Sequence, residues 1–267
     1  MARYVVDVGA VTSWAGTANG ILIAGGALPA AYTLSIDADE FDQTGFASGG
    51  QSFMSYIKGL NSWTADITMR LGIPQIGNKG LFDTASATGV LHSRAWTMAI
   101  AATSKDVTVH NGSGVTWREF LPGLLSWGGT VTAHADTAVG IPTPASFSAV
   151  VFKLIENTSN DHTFTGDIIL KNANPVVQVG EAATVQYNYR GTSTLTAAGS
   201  TGTGVPATIF AAAAIARPAV GSLVLTSAAS RTYTGDAFWT GVNINCAVDQ
   251  PIEVTVSVQG TGALTAA

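Results

Sequence analysis

The sequence predicts a mainly β protein made of two related β-sandwich or barrel units with little helix, and three observations point there. Thr, Ala, Gly and Ser dominate and only 11% of the 267 residues are charged, the bias of a turn-rich, all-β chain. Near the C-terminus Ile252, Val254, Val256 and Val258 alternate with Glu253, Thr255, Ser257 and Gln259, which gives a strand one apolar and one polar face. The chain also repeats itself twice.

Residues 32–68 recur at an offset of 64 with 11 identities in 37, so that Ser62-Trp63 falls on Ser126-Trp127. Residues 163–198 recur at an offset of 69 with 13 identities in 36, so that TFTGD at Thr163 returns as TYTGD at Thr232, and the ending LTAA at Leu195 returns at Leu264. Composition alone would give roughly three identities in each case, so both pairs are duplications. Their order along the chain is early, early, late, late.

Taken in order, alternating or β-branched runs predict strands at 32–38, 63–69, 96–102, 127–133, 149–155, 163–171, 223–226, 236–247 and 252–259. A further strand follows from Val185, Tyr187 and Tyr189 alternating with Gln186, Asn188 and Arg190. Phe53, Tyr56, Ile57 and Leu60, and in the second copy Trp117, Phe120, Leu121 and Leu124, are spaced to share one side of a helical turn, ended by Gly59 and by Pro122-Gly123. Longer helices are predicted at 206–217, opened by Pro206 and stopped by Pro218, and at 80–87. The stretch AAGSTGTGV at 197–205 reads as a linker.

A complete sandwich needs one early and one late copy, and residues 91–198 contain both. The nested organisation therefore places unit two at 91–198, inserted into a unit one made of 1–90 and 199–267; the rival is an exchange of late strands between units or subunits.

Twelve basic against seventeen acidic residues leave a net charge of −5, which excludes the clustered Lys and Arg of a phosphate-gripping groove. The lone Cys246 allows no intramolecular disulfide and sits in a strand pattern, which predicts burial. The N-terminus has no signal-peptide pattern, and the longest apolar stretch, 21–34, is too short and too interrupted by Gly and Pro to span a bilayer.

Catalytic and ligand patterns are weak. His92, His110, His134 and His162 share no metal-ligand spacing. The cluster Asp37, Asp39, Glu40 and Asp42 lacks the glycine and distal glutamate of a calcium loop, so a solvated acidic edge is the better reading. Gly199, Gly202 and Gly204 follow no strand-to-helix crossover, and no Gly-x-Ser-x-Gly elbow occurs, so no enzyme and no cofactor is expected. Six tryptophans raise a second class, a surface adhesin or carbohydrate-binding β-sandwich. Trp63 and Trp127, however, hold equivalent places in duplicated strands, which predicts structural anchors. The polar sets Glu253, Thr255, Ser257, Gln259 and Thr184, Gln186, Asn188, Arg190, repeated and unable to enter a core, are the candidate lumen or inter-subunit face.

At these repeats the chain resembles the tail tube proteins of long-tailed, non-contractile bacteriophages. The resemblance rests on residues 39–46 (DEFDQTGF), 59–64 (GLNSWT), 233–237 (YTGDA) and 256–265 (VSVQGTGALT), and covers about two thirds of the chain. It implies a small β-sandwich unit whose inner sheet joins its neighbours' sheets into a ring-wide barrel, with no catalysis and no cofactor. It also implies stacking into a DNA conduit in the virion tail, a product of the host cytoplasm, with a tape measure protein inside and terminator and distal tail proteins at the ends. A usual family member carries one unit and forms rings of six; two units per chain imply rings of three.

Overall fold

The structure, a computed structural model, describes residues 11–14, 28–42, 56–70, 82–84, 93–109, 116–134, 146–155, 162–177, 182–198, 213–214, 218–226, 231–247, 250 and 252–267. Among them every regular element is a strand: β1 (Val11–Trp14), β2 (Leu28–Asp42), β3 (Tyr56–Arg70), β4 (Phe82–Thr84), β5 (Ser93–Asp106), β6 (Phe120–His134), β7 (Ser146–Ile155), β8 (His162–Val176), β9 (Thr184–Gly191), β10 (Thr196–Ala198), β11 (Ala213–Ala214), β12 (Gly221–Thr226), β13 (Thr232–Ala247) and β14 (Glu253–Ala266). The mainly β fold class holds.

One antiparallel sheet, not closed into a barrel, runs through the chain, and its central order is β8-β9-β6-β5-β13-β14-β3-β2. This order is one four-strand block written twice. The early hairpin β5–β6 pairs with the late hairpin β8–β9 through β6 and β9, and β2–β3 pairs with β13–β14 through β3 and β14. The blocks join where β5 pairs with β13, Met98 opposite Ile244.

Repetition extends to the irregularities. Bulges fall between Ala38 and Glu40 in β2 and between Ala102 and Ser104 in β5, an offset of 64; others fall between Leu170 and Asn172 in β8 and between Trp239 and Gly241 in β13, an offset of 69. Each early bulge faces a glycine whose missing side chain makes room: a Cβ at Gly59 would meet the Phe41 ring at 2.5 Å, and one at Gly123 would collide with Thr103 Oγ1.

Side strands complete each block in matching fashion. β12 lies beside the first half of β13 and carries β1, while β7 lies beside the first half of β8 and carries β4. β4 thus pairs within the block of β7 and β8 although it precedes residue 91. β11 likewise pairs with β10 of unit two although it lies beyond residue 199. One hydrophobic core runs through both blocks, with Trp63, Trp96, Trp239, Tyr187 and Phe152 among its fully buried side chains.

The helical expectations fail wherever they can be checked. Residues 56–60 and 120–124 are strand, 82–84 are strand, and Ala213–Ala214 pair with β10; the rest of 80–87 and 206–217, with Phe53, lies outside the described residues. Hairpin pairing overrides a spacing of three, one and three. Phe120 to Pro122 continue the ladder opposite Asp106 to Ser104, and Leu121 and Leu124 are exposed instead of sharing a buried face. The linker also starts later than its composition suggests, because Thr196–Ala198 form β10 and Ala197 is buried.

Candidate assembly interface

Both predicted polar sets lie on one face of the central sheet. Register carries continuous rows across it: Arg190, Gly128, Ala99, Asn243, Thr255 and Thr68 stand opposite one another in turn, as do Ser126, Ala101, Gly241, Ser257, Asp66 and Thr33. Glu253, Thr255, Ser257, Gln259, Thr184 and Asn188 are half-buried, and Gln186 and Arg190 are exposed. The opposite face carries Val254, Val256, Val258, Val185, Tyr187 and Tyr189, all buried. Strand alternation places each set on its side. Small and uncharged residues dominate the polar rows. Ser257 Oγ donates to the Asp66 carboxylate at 2.7 Å, and Gln259 Nε2 donates to the carbonyl oxygens of Trp63 and Gly260 at 3.3 and 3.0 Å.

Trp63 and Trp127 are both buried, each lying flat against two glycines from the late copy paired with it. The Trp127 ring covers Gly166 and Gly191, and Trp63 covers Gly235 and Gly260, with Leu195 and Leu264 beside them. Indole Nε1 donates to Ser193 O at 2.8 Å in one unit and to Gly262 O at 3.3 Å in the other. The sequence motifs that repeat, Ser-Trp, the Gly of T-x-T-G-D, Gly-Thr and the final Leu, are thus the residues that meet. In unit two the following aspartate, Asp167, also accepts from Ala149 N at 2.8 Å, holding a left-handed turn (φ 52°) in β7.

Between the blocks the junction is more than a sheet ladder. The segment 116–120, leading into β6, crosses onto unit one. Asn61 N donates to Thr116 O and Arg118 N to Asn61 O, both at 2.8 Å; Gly262 N donates to Arg118 O, and Phe120 N to Thr261 Oγ1, both at 2.9 Å. Trp117 packs against the core. The Arg118 guanidinium donates from Nε and Nη2 to Asp39 Oδ2 of unit one, and from Nη1 to Asp106 of its own unit at 3.4 Å. Asp39 is therefore neutralised across the junction, while Glu40 is exposed; the side chain of Asp42 lies outside the described residues.

Among the described residues the two ends of the sheet are open in complementary ways, and β2 pairs only with β3. The second half of β8 pairs with β9 on one side, and its other side is the equivalent of the β13 edge that β5 occupies. Val177, 78% exposed, stands where unit one has Cys246, 3% exposed, and the exposed Pro175 stands where unit one has Ile244, 1% exposed. Among the described residues no strand flanks the second half of β8 on that side.

Cys246 is held in the core beside this junction, and burial pushes its thiol up from 9.0 to about 11. Burial also raises the hydroxyl pKa of Tyr187 and Tyr189. His134 is exposed at the end of β6; His92 and His110 lie outside the described residues. Among the described residues no helix is long and apolar enough to cross a membrane.

Neither family models, curated proteins nor solved structures match this chain.

Sequence reasoning missed Arg118 and the junction. One signal was present: Arg118 replaces Met54 of the first copy, and its partner Asp39 is replaced by Thr103 in the second, so acid and base vary together.

Proposed function

We propose that this chain is a structural protein that joins copies of itself edge to edge into rings, which stack into a hollow tube: the tail tube of a long-tailed bacteriophage, conducting DNA. Support comes above all from the head-to-tail repetition of the sheet. Joining β5 to β13 leaves a β2 edge at one end and a β8 edge at the other, the same two kinds of edge that the junction unites. Repeating that join between chains leaves no open edge. Mapped by the repeat offsets, the register Asn243 opposite Ala99 within the chain becomes Asn174 opposite Ser35 between chains. Such a heterologous contact either closes into a ring or runs on as a filament.

The continuous polar face, sparse in charge, suits the inner wall, since a surface without clustered cations lets a polyanion slide. Exposed Leu121 and Leu124 on the β5–β6 hairpin, the latter 84% exposed, offer apolar contacts for stacking. The virion tail is then the location, the tape measure protein the lumenal partner during assembly, and terminator and distal tail proteins the partners at the ends. Four of the tryptophans that raised the adhesin reading, Trp63, Trp96, Trp127 and Trp239, are buried and present no stacking platform for sugars.

Counting chains tests the proposal. Six sheet blocks around a lumen wide enough for a duplex require three chains, so a ring should have three times the 27.3 kDa chain mass, with end-on images threefold and only approximately sixfold. A persistent monomer, or six chains per ring, would overturn it.

A further inference from the structure

Among the described residues unit two carries an open socket whose counterpart in unit one is filled. In unit one, segment 116–120 is seated against Asn61, Thr261 and Gly262. The repeat offsets carry these positions onto Leu125, Thr192 and Ser193, and those three line an open pocket of about 490 Å3 beside Ile100, Trp127 and Leu195. We propose that this pocket receives residues 52–56 of a second copy of the chain, the sequence counterpart of 116–120, and so locks one chain to the next. The proposal rests on the edge-to-edge reading above and adds a second contact to it.

Three observations select this occupant. First, the side-chain classes agree: Thr116, Trp117 and Phe120 correspond to Ser52, Phe53 and Tyr56, a hydroxyl and two aromatics, facing a pocket walled by Ile100, Leu125, Leu195 and Trp127. Second, the charge pair is missing from both halves together. Where unit one offers Asp39 to Arg118, unit two offers Thr103 and the incoming segment carries Met54. An arginine there would meet a threonine in place of the acid across the junction. Third, the strand this segment leads into is far from the pocket of its own chain: segment 116–120 reaches across the β5–β13 junction to the next block, whereas β3 begins at Tyr56, paired with Asp42 of β2 at the opposite end of the sheet from β8 and β9. Three strands, β14, β13 and β5, also separate β3 from β6, about 19 Å at the spacing of paired strands.

Engineered disulfides decide the matter. Within the chain, Gly262 N meets Arg118 O at 2.9 Å, which brings the two Cα atoms into the range a disulfide spans; the equivalent pair between chains is Ser193 and Met54. The full-length double variant Met54→Cys, Ser193→Cys should, on mild oxidation, give two-chain and three-chain species on a non-reducing gel, and neither single variant should. A parallel double variant, Ser35→Cys with Asn174→Cys, reports the sheet edge alone. If the edge pair links chains and the socket pair does not, the socket proposal is overturned while the ring survives. A socket pair that closes within one chain also overturns it. If neither pair links and the native mass is that of one chain, both proposals fall.

Discussion

Replacing Gly166 with alanine should destabilise the protein only because Trp127 is there. Gly166 is not in the left-handed region, so an alanine backbone is allowed and would by itself stabilise by about 0.4–1 kcal/mol through the unfolded chain. Its Cβ, however, would lie 2.5 Å from Trp127 Cζ2 and 2.9 Å from Cη2, with nothing else closer than Leu195 Cδ1 at 3.4 Å. Normal carbon contacts are ~3.5–4.0 Å, so the indole must move by roughly 1 Å or more. That movement strains a buried ring, at about 1–3 kcal/mol, and endangers the 2.8 Å bond from Nε1 to Ser193 O, at about 1 kcal/mol. The net expected loss for Gly166→Ala is about 1–3 kcal/mol. Trp127→Ala should cost about 3–5 kcal/mol through the cavity it leaves. In the double variant the new methyl stands in that cavity, so the loss should be no greater than for Trp127→Ala alone, a coupling of about 2 kcal/mol. Urea unfolding at one fixed protein concentration measures all four corners of the cycle. Losses that add to within about 0.5 kcal/mol would refute the packing of Trp127 on Gly166. The matching cycle in unit one, Gly235 with Trp63, should be rescued less completely, because a Cβ at Gly235 also meets Ala263 O at 3.1 Å.

Arg118→Met, which imports the residue of the first repeat, should cost no more than about 1 kcal/mol, since its partners are about a third exposed or more; the loss should shrink in high salt, and a larger, salt-independent loss would contradict a surface ion pair. Ser257→Lys with Gln259→Lys should leave thermal unfolding within a few degrees of the parent, because both side chains stand on the polar face, yet make assembled tubes bind duplex DNA at low salt and release it steeply as salt rises; normal infectivity of a phage carrying both changes would count against a lumenal face. Cys246 keeps its proton in the folded state up to about 11 whereas the unfolded thiol loses it near 9.0, so the native state binds more protons between those values. The stability this contributes is complete below pH 9 and is lost as pH rises towards 11, by up to about 3 kcal/mol; Cys246→Ala, measured by urea unfolding across that window, should flatten the slope, and an unchanged slope would assign it to the buried tyrosines.

What could be read from the sequence was local and periodic. Alternation marked ten strands because every second side chain must enter the core, and the duplications stood out because the Trp, Gly and Leu that repeat are the residues that pack on one another. The same alternation placed Glu253 to Gln259 and Thr184 to Arg190 on polar faces. Partnership was not legible, since nothing local in Met98 or Ile244 says that they will stand opposite one another. Tertiary pairing also turned 56–60 and 120–124 from helical turns into hairpin strands, because a short apolar spacing is compatible with both and the ladder opposite 42–38 and 106–102 provides the hydrogen bonds. It set β4 beside β7, since a three-residue strand is defined only by its neighbour. The repeats already called for one early and one late copy per unit; only the assembled sheet shows that two such blocks join head to tail through β5 and β13, and that Arg118 reaches Asp39 across the join. Contacts between residues far apart in the chain depend on which edges meet, and edges come into being only when the sheet has formed.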